Sequence, residues 1–146
     1  MIQKHQHEIL LVEDSPSDAM LAMRALLESS FNSRVNHAKD GVEALAMLRG
    51  ELPHDDCPRP DLILLDLNMP RKDGRQVLDE LRRDADLSTI PVVVLSTSAQ
   101  DSDIYDCYQL GSNSFIVKPV ELQDFFRVME KTQDYWFRMC ALPTAK

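Results

Sequence analysis

The chain has 146 residues, of which 44% are apolar, and its formal net charge is −8. This length predicts one domain, and no stretch approaches the roughly 20 consecutive apolar residues of a membrane helix. The 16 Lys and Arg residues are scattered, which argues against nucleic-acid binding because phosphate contacts require clustered basic side chains. The polar N-terminus and the odd number of well-separated cysteines favour free thiols and a cytoplasmic location.

Taken in chain order, apolar runs that predict strands alternate with patterns that predict helices. The strand-like runs lie at residues 8–13, 33–38, 61–67, 91–96 and 114–118. The helical patterns lie at residues 17–29, 40–50, 75–83, 102–110 and 121–139. Asp40 is expected to cap its helix and Gly50 to end it, because these residue types favour those two positions.

This alternation defines the expected fold class. Five strands that alternate with five helices predict an α/β protein, with parallel βαβ units and helices on both faces of one sheet. Most of the strands are unbroken apolar runs, as expected where both faces are covered, whereas the run at 33–38 is more polar and is expected at an edge. We assign residues 8–134 to this domain, 1–7 to a flexible N-terminus and 135–146 to an extension of the last helix.

Polar side chains follow four of the predicted strands at the point where each strand ends. They are Glu13, Asp14, Asp66, Ser96, Thr97 and Lys118. Because ligands of open parallel sheets bind outside the carboxyl ends of the strands, these side chains are expected to meet at one edge. Each alone has an ordinary explanation, as a cap, a turn residue or a solvated lysine, but together they predict a site.

The combination of three carboxylates with an amine and a hydroxyl indicates phosphoryl transfer. Crowded carboxylates repel one another and would recruit a cation, and hard oxygen ligands with room for water suit Mg²⁺. The cation would bring a phosphoryl group to Asp66, whose carboxylate could act as a nucleophile and form an acyl phosphate. Lys118 would hold the remaining phosphoryl oxygens by charge, and Ser96 by a hydrogen bond.

Four segments carry a resemblance to a known family. LLVEDSPSD, LILLDLNMPRKDGRQVL, PVVVLSTSA and FIVKP resemble, in this order, the motifs of the receiver domains of two-component response regulators. The resemblance implies a doubly wound, flavodoxin-like fold with five parallel strands in the order 2-1-3-4-5. It also implies a protein that accepts a phosphoryl group from a sensor histidine kinase and is no enzyme beyond phosphotransfer and slow autodephosphorylation.

The resemblance further implies a metal site. Asp66 corresponds to the phosphoacceptor of the family, and Asp14 and Asp66 to its carboxylate ligands for Mg²⁺. Glu13 would be linked to the metal through water, and Asn68 would supply its backbone carbonyl. Glu13 stands where the family more often has Asp, and Thr97 stands where it prefers Ala or Gly; a stiff β-branched residue there is expected to narrow access to Asp66.

The resemblance implies a switch as well. Ser96 occupies the position of the switch hydroxyl, Phe115 that of the switch aromatic residue, and Lys118 that of the family lysine. The Lys118–Pro119 peptide bond is usually cis in the family. Phosphorylation would draw the Ser96 hydroxyl inward, let Phe115 turn from exposed to buried, and change the face formed by the fourth helix, fifth strand and fifth helix.

A narrower resemblance concerns the segment PRPDLILLDLNMPRKDGR and the tail DYWFRMCALP. Both are similar to the single-domain regulators of cyanobacterial phytochrome histidine kinases, which implies a light-sensing kinase as partner. The residues expected to lie beyond the core are Tyr135, Trp136, Phe137 and Leu142. Since monomers rarely expose contiguous apolar patches, we expect a symmetric homodimer that involves this tail. With no effector module expected, the output is protein–protein contact or relay to another phosphotransfer protein.

Other protein classes share parts of this pattern. Haloacid-dehalogenase phosphatases place an aspartate nucleophile at a strand end with Mg²⁺, but their general acid would fall at Asn68, which cannot take that role. A docking module that never accepts phosphate is a further alternative. A flavin-binding module is less compatible, because DSPSD would present acids to a phosphate. The four histidines show no ligand spacing and are expected on the surface: His5, His7, His37 and His54.

Overall fold

The computed structural model describes residues 6–69 and 72–143, which form a five-stranded sheet with its helices. The strands are β1 (His7–Val12), β2 (Ser33–Ala38), β3 (Leu62–Asp66), β4 (Val92–Ser96) and β5 (Ser114–Val117). The helices are α1 (Pro16–Leu27), α2 (Gly41–Arg49), α3 (Gly74–Arg83), α4 (Asp101–Gln109) and α5 (Leu122–Asp134). Every predicted element is present, and the boundaries differ by two residues or fewer except at the end of the last helix.

The sheet order is β2-β1-β3-β4-β5, and all neighbouring strands are parallel. This confirms the doubly wound α/β fold with strand order 2-1-3-4-5, and it confirms the edge position predicted for β2. From β1 the chain passes to β2 on one side and later to β3 on the other, so the winding reverses there. The crevice outside the carboxyl ends of β1 and β3 is therefore where this fold class places its site.

Each strand contributes alternate side chains to two apolar layers, one on each face of the sheet. In β3, Leu62 and Leu64 pack with buried residues of α1 and α5, whereas Ile63 and Leu65 pack with those of α2 and α3. All four are fully buried, and each contributes about 1.5–3 kcal/mol when removed from water. This double burial explains the unbroken apolar runs and makes the sheet a rigid support for the strand ends.

The helices begin and end at residues whose chemistry suits those positions. Asp40 caps α2 by accepting a hydrogen bond of 2.8 Å from the backbone N–H of Glu43, and Gly50 ends it with φ at 66°, as predicted. Asp73 and Gln76 form a reciprocal capping box at the start of α3. Within the described ranges, no helix is both long and apolar enough to cross a membrane.

The tail after α5 differs from the sequence prediction. Instead of a continuous α-helix to Met139, residues Tyr135–Met139 form a π-helical turn, closed by a 2.9 Å hydrogen bond from the Cys140 N–H to the Tyr135 carbonyl. Trp136 and Phe137 pack against the apolar layer below α1 and α5, so the expectation that they lie beyond the core is wrong. Tyr135 and Met139 remain 52% and 70% exposed.

The N-terminus is also held more closely than expected. Residues 1–5 of the segment predicted to be flexible lie outside the described residues, but His7 is the first residue of β1. Its ring stacks on Phe137 with the centroids 4.1 Å apart and the planes 3° from parallel. His7 is therefore a packing residue and not the free surface residue that its spacing suggested.

Candidate functional site

The carboxyl ends of β1 and β3 lie side by side because the two strands are hydrogen-bonded neighbours. Glu13 and Asp14 follow β1 and Asp66 ends β3, so the three carboxylates meet; one oxygen of each lies within 4.8 Å of the others. Glu13 is only 4% exposed and the Asp66 side chain only 12%. Three carboxylates are thus crowded together at the carboxyl ends of β1 and β3, and those of Glu13 and Asp66 are largely shielded from water.

Lys118, which directly follows β5, reaches into this cluster. Its Nζ donates a 3.0 Å hydrogen bond to Oε2 of Glu13 and lies 3.6 Å from Oδ1 of Asp66. Its backbone N–H bonds the Ser96 carbonyl at 2.7 Å, which continues the pairing of β4 with β5 beyond the last strand residue. The sheet therefore fixes the backbone of Lys118, and Glu13 and Asp66 fix the position of its ammonium group.

The protonation of the cluster reflects its excess of negative charge. Burial, and then the charge of Glu13, raises the pKa of Asp66 from 3.8 to about 7, and the charge of Lys118 only partly offsets this. Burial opposes the charged form of Lys118, but the hydrogen bond to Glu13 and the charge of Asp66 outweigh it and raise its pKa. One lysine does not neutralise three acids, so the site favours a further cation.

Glu13 has a positional role that its spacing in the sequence does not reveal. Its Oε1 accepts a 3.2 Å hydrogen bond from the Ser15 N–H, while Oε2 is held by Lys118. The Glu13 carbonyl lies 2.7 Å from Nε2 of His37, which comes from the neighbouring strand β2. His37 thus supports the backbone of the acid site, a contact that the sequence analysis did not predict.

Gly74 is a second residue that the sequence analysis did not single out. A Cβ at this position would lie 2.8 Å from the Asp66 carbonyl oxygen and 2.9 Å from Cα of Leu67. The Gly74 N–H donates a 2.8 Å hydrogen bond to the Leu67 carbonyl. The start of α3 therefore packs directly on the backbone of Asp66, which requires glycine; the Asp-Gly pair at 73–74 was the available signal.

Ser96, the last residue of β4, is 1% exposed. Its Oγ accepts a 3.1 Å hydrogen bond from the Ser98 N–H and, within the described chain, donates none. A hydroxyl has one donor and two acceptor positions, so the Ser96 proton is available to a group placed beside Asp66. Thr97 is exposed and lines, with Glu13 and Lys118, a cavity of about 300 Å³ next to the site.

The remaining expected site residues occupy the surroundings. Phe115 is half-buried on β5 and packs against the layer below α2, α3 and α4; its N–H donates to the Tyr108 hydroxyl at 3.3 Å. Asn68 lies in the loop after β3 with its side chain exposed. Over the described residues the cis peptide bond is Leu52–Pro53, so the expectation of a cis Lys118–Pro119 bond is wrong here.

The donor set fits a hard divalent cation. Glu13, Asp14 and Asp66 offer carboxylate oxygens within one small volume, and oxygen ligands with space for water are what Mg²⁺ and similar ions prefer. The cysteines are free and do not join this cluster: Cys57, Cys107 and Cys140. A soft-ligand metal is therefore disfavoured, and a divalent cation with oxygen ligands matches the chemistry present.

Comparison with known proteins identifies relatives over nearly the whole chain. The family model of the response regulator receiver domain matches residues 9–130. The response regulator Rcp1 of Synechocystis is 41% identical over 137 residues, which are 94% of this chain and 93% of that protein. A probable methanogenesis regulatory protein, FilR2 of Methanothrix harundinacea, is 42% identical over 130 residues, 88% of this chain and 82% of that protein.

Solved structures are equally similar. The phosphorylated cyanobacterial phytochrome response regulator RcpA has a TM-score of 0.91 and 43% identity, over 96% of this chain and all of that chain. The Mn²⁺-bound form of Rcp1 has a TM-score of 0.87 and 40% identity, over 94% of this chain and 99% of that one. With the motifs, the fold and the acid cluster, these similarities show that the chain belongs to the receiver domain family of response regulators.

Proposed function

We propose that Asp66 is the phosphoacceptor of this receiver domain. The carrying observation is the position of its carboxylate at the end of β3, within reach of two further acids and 3.6 Å from the Lys118 ammonium. One carboxylate oxygen attacks the phosphorus of a phosphohistidine, so that a P–O bond forms while the P–N bond breaks and the histidine nitrogen takes up a proton. Lys118 and the Ser96 hydroxyl hold the transferred phosphoryl oxygens.

We infer that the metal held by this site is Mg²⁺. Asp14, Asp66 and the Asn68 carbonyl would bind it directly and Glu13 through water, and a bound Mg²⁺ supplies positive charge between the acids and the incoming phosphoryl group. Glu13 is already engaged by Lys118 and Ser15, which agrees with an indirect role. The Mn²⁺-bound form of Rcp1, 40% identical to this chain, supports divalent metal binding at such a site.

We propose a phytochrome-type sensor histidine kinase as the phosphodonor. The support is the similarity of almost the entire chain to RcpA, described as a cyanobacterial phytochrome response regulator, and to Rcp1. The three free cysteines agree with a reducing cytoplasm as the place of this reaction. Slow autodephosphorylation of Asp66 would return the protein to its resting state.

The proposed output is a changed surface on α4, β5 and α5. A phosphoryl group on Asp66 would attract the free Ser96 proton, and movement of the β4 end would make room for Phe115, which is half-buried at this stage. The altered face would act by protein–protein contact or by relay of the phosphoryl group to a downstream phosphotransfer protein.

We also propose that the protein forms a homodimer. The tail, residues 135–146, which extends the domain at 8–134, would form the contact. A cavity of about 570 Å³ opens between β5 and the π-helical turn, lined in part by Ile116, Val128, Tyr135 and Trp136. Because Trp136 packs on the core, deletion of the tail would also destabilise the fold. A better test is the double variant Tyr135→Ser with Met139→Ser. Its control is Leu52→Ser, which changes an 81% exposed residue of the loop between α2 and β3.

Sedimentation of these variants decides whether the protein is a monomer or a dimer that depends on the tail. The wild type and Leu52→Ser are expected to sediment as dimers, and the double variant as a monomer with an unchanged circular dichroism spectrum. A monomeric wild type, or a double variant that remains dimeric, would exclude this interface.

Transfer of labelled phosphate from a phytochrome-type histidine kinase tests the proposed function. Wild type and Asp66→Asn are compared with Mg²⁺ and with chelator. The control is Asp79→Asn, which changes a half-exposed aspartate of α3 paired with Arg83. Label is expected on the wild type and on Asp79→Asn, and only with Mg²⁺. Label on Asp66→Asn would refute the acceptor, and label in chelator would refute the metal requirement.

If no kinase labels the wild type, acetyl phosphate is used as a second donor. Labelling by acetyl phosphate alone would retain Asp66 and reject the proposed kinase class. Absence of label from both donors would favour the docking module that never accepts phosphate.

A further inference from the structure

A chain of side-chain contacts connects α3 and α4 to the loop that carries Ser96. Arg75, one residue after Gly74, forms an ion pair with Oδ1 of Asp103 at the start of α4, and its Nε lies 3.8 Å from Oδ2 of Asp106. The Arg75 and Asp103 side chains are 29% and 21% exposed. This pair is partly shielded from solvent, so it is screened less than the ion pairs on the outer faces of the helices.

The second carboxylate oxygen of Asp103 continues the chain. It accepts a 2.6 Å hydrogen bond from Oγ of Ser98, and the same Oγ accepts a 3.2 Å bond from the Gln100 N–H. The Ser98 side chain is therefore held from two sides. Because its backbone N–H donates to Oγ of Ser96, the orientation of Ser98 determines where that donor points.

The consequence for Ser96 follows from its hydrogen-bonding capacity. The Ser98 N–H occupies one acceptor position of the Ser96 hydroxyl. The Ser96 hydroxyl proton itself donates to no group in the described chain. The other end of the network is fixed as well, because Gly74 packs the start of α3 on the Asp66 carbonyl. The same set of contacts therefore supports both the Ser96 hydroxyl and the segment that carries the Asp66 carboxylate.

We propose that Arg75 is a positioning residue for phosphoryl transfer to Asp66, acting through Asp103 and Ser98 on the Ser96 hydroxyl. This inference rests on the proposed phosphoacceptor role of Asp66 and adds a residue to which neither the motifs nor the site geometry assign a role. The network keeps the Ser96 proton available and correctly placed for a phosphoryl oxygen in the transition state. It is not expected to change donor binding, because Arg75 pairs with Asp103 and Asp106 and not with the acids of the site.

Phosphorylation kinetics of four variants test the proposal, with acetyl phosphate as donor and Mg²⁺ present. Ser98→Ala and Arg75→Gln are each expected to lower the rate at saturating donor about fivefold with the donor KM unchanged, as for an interaction made only in the transition state. Arg75→Gln combined with Ser98→Ala is expected to show the same loss as either change alone, because the contacts form one chain. Ser98→Thr, which keeps the hydroxyl, is expected to retain the wild-type rate.

The control is Arg83→Gln, which removes a 79% exposed arginine of the same helix and is expected to leave the rate unchanged. A wild-type rate in Arg75→Gln or in Ser98→Ala, faster transfer in either, losses that multiply in the double variant, or a lowered rate in Ser98→Thr would each overturn the proposal. If Arg75→Gln does not fold, Asp103→Asn, which removes the charge that pairs with Arg75, takes its place in the same comparison. If the wild type is not phosphorylated, both the proposed function and this inference are refuted. If the wild type is phosphorylated and the variants react at its rate, the inference alone is refuted.

Discussion

The two ends of the sheet solve the problem of buried charge in opposite ways. At the amino ends of β4 and β5, the half-buried Arg82 donates to three backbone carbonyls and to Oδ1 of Asn113, at 2.8–3.1 Å. At the carboxyl ends, Glu13, Asp14 and Asp66 share one lysine. At the first end the charged group is hydrogen-bonded to neutral oxygens of the protein, whereas the second end keeps a charge imbalance that a cation and a phosphoryl group can use.

This contrast separates stability from function in the same sheet. The guanidinium of Arg82 joins the end of α3 to the segments that precede β4 and β5, and every oxygen that it contacts is neutral. The acids at the opposite end are held apart from their preferred hydration, and the pKa of Asp66 rises to about 7 as a result. Changes at the first end should alter unfolding, and changes at the second should alter phosphoryl chemistry.

The largest expected effect is at the paired end. Arg82→Met should lower the free energy of unfolding by about 3 kcal/mol, because four oxygens lose a charged donor and some stay buried. Arg83→Met, next along the helix but 79% exposed, should change it by less than about 0.5 kcal/mol. Urea unfolding measures both free energies. A loss below about 1 kcal/mol for Arg82→Met would show that the hydrogen bonds of Arg82 contribute little to stability.

Close packing of α3 on the acid site gives the next effect. Gly74→Ala should cost about 2–3 kcal/mol, since its Cβ would lie 2.8 Å from the Asp66 carbonyl oxygen. It should also slow phosphorylation by displacing Asp66. Gly50→Ala, where a Cβ meets nothing within 4 Å and only the φ of 66° opposes it, should cost about 1 kcal/mol and leave phosphorylation unchanged. Equal effects of both changes on phosphorylation would contradict this packing role.

Removing the imbalance at the acid end should increase stability. The folded-state pKa of Asp66 is raised from 3.8 to about 7, so keeping this carboxylate ionised in the metal-free fold costs free energy that is absent near pH 4, grows between pH 4 and 7 and is complete above pH 7. Asp66→Asn should therefore stabilise the metal-free protein at pH 8 by about 2 kcal/mol and change little near pH 4. Thermal unfolding at both pH values, with Asp79→Asn as control, measures this; an equal gain at both would contradict it.

The smallest expected effect concerns access to Asp66. Thr97 lines the cavity beside the site, and its replacement by Ala should speed phosphorylation by acetyl phosphate and loss of phosphate by about two- to fivefold, or roughly 0.4–1 kcal/mol. Single-turnover kinetics of wild type and Thr97→Ala provide the comparison. Equal rates would show that the β-branched side chain does not narrow the path.

The sequence predicted the sheet and the acid cluster because both depend on local patterns. Strands such as β3 are unbroken apolar runs, and the side chains of the site directly follow strand ends, so alternation alone brings Glu13, Asp66 and Lys118 to one edge. The contacts of Arg82 and Arg75 could not be predicted, because each joins segments whose separation depends on tertiary packing. The same holds for His37, whose bond to the Glu13 carbonyl follows from the pairing of Leu11 with His37 between β1 and β2.

The end of the last helix shows a different reason for failure. Trp136 and Phe137 continue an apolar helical pattern, and a pattern does not distinguish an α-helix from a π-helical turn. The π-helical turn places both rings against the core, where Phe137 stacks on His7. The apolar tail was therefore recognised correctly, but its burial within the same molecule was not.

Direct mapping of the phosphorylated residue tests whether Asp66 is the phosphoacceptor. The wild-type protein is phosphorylated with Mg²⁺ and treated with borohydride, which reduces an aspartyl phosphate to homoserine, and the peptides are sequenced by mass spectrometry. Homoserine is expected at Asp66 and at no other aspartate. Homoserine at Asp14 with Asp66 unmodified, or phosphate on a residue outside the cluster of Glu13, Asp14 and Asp66, would contradict it.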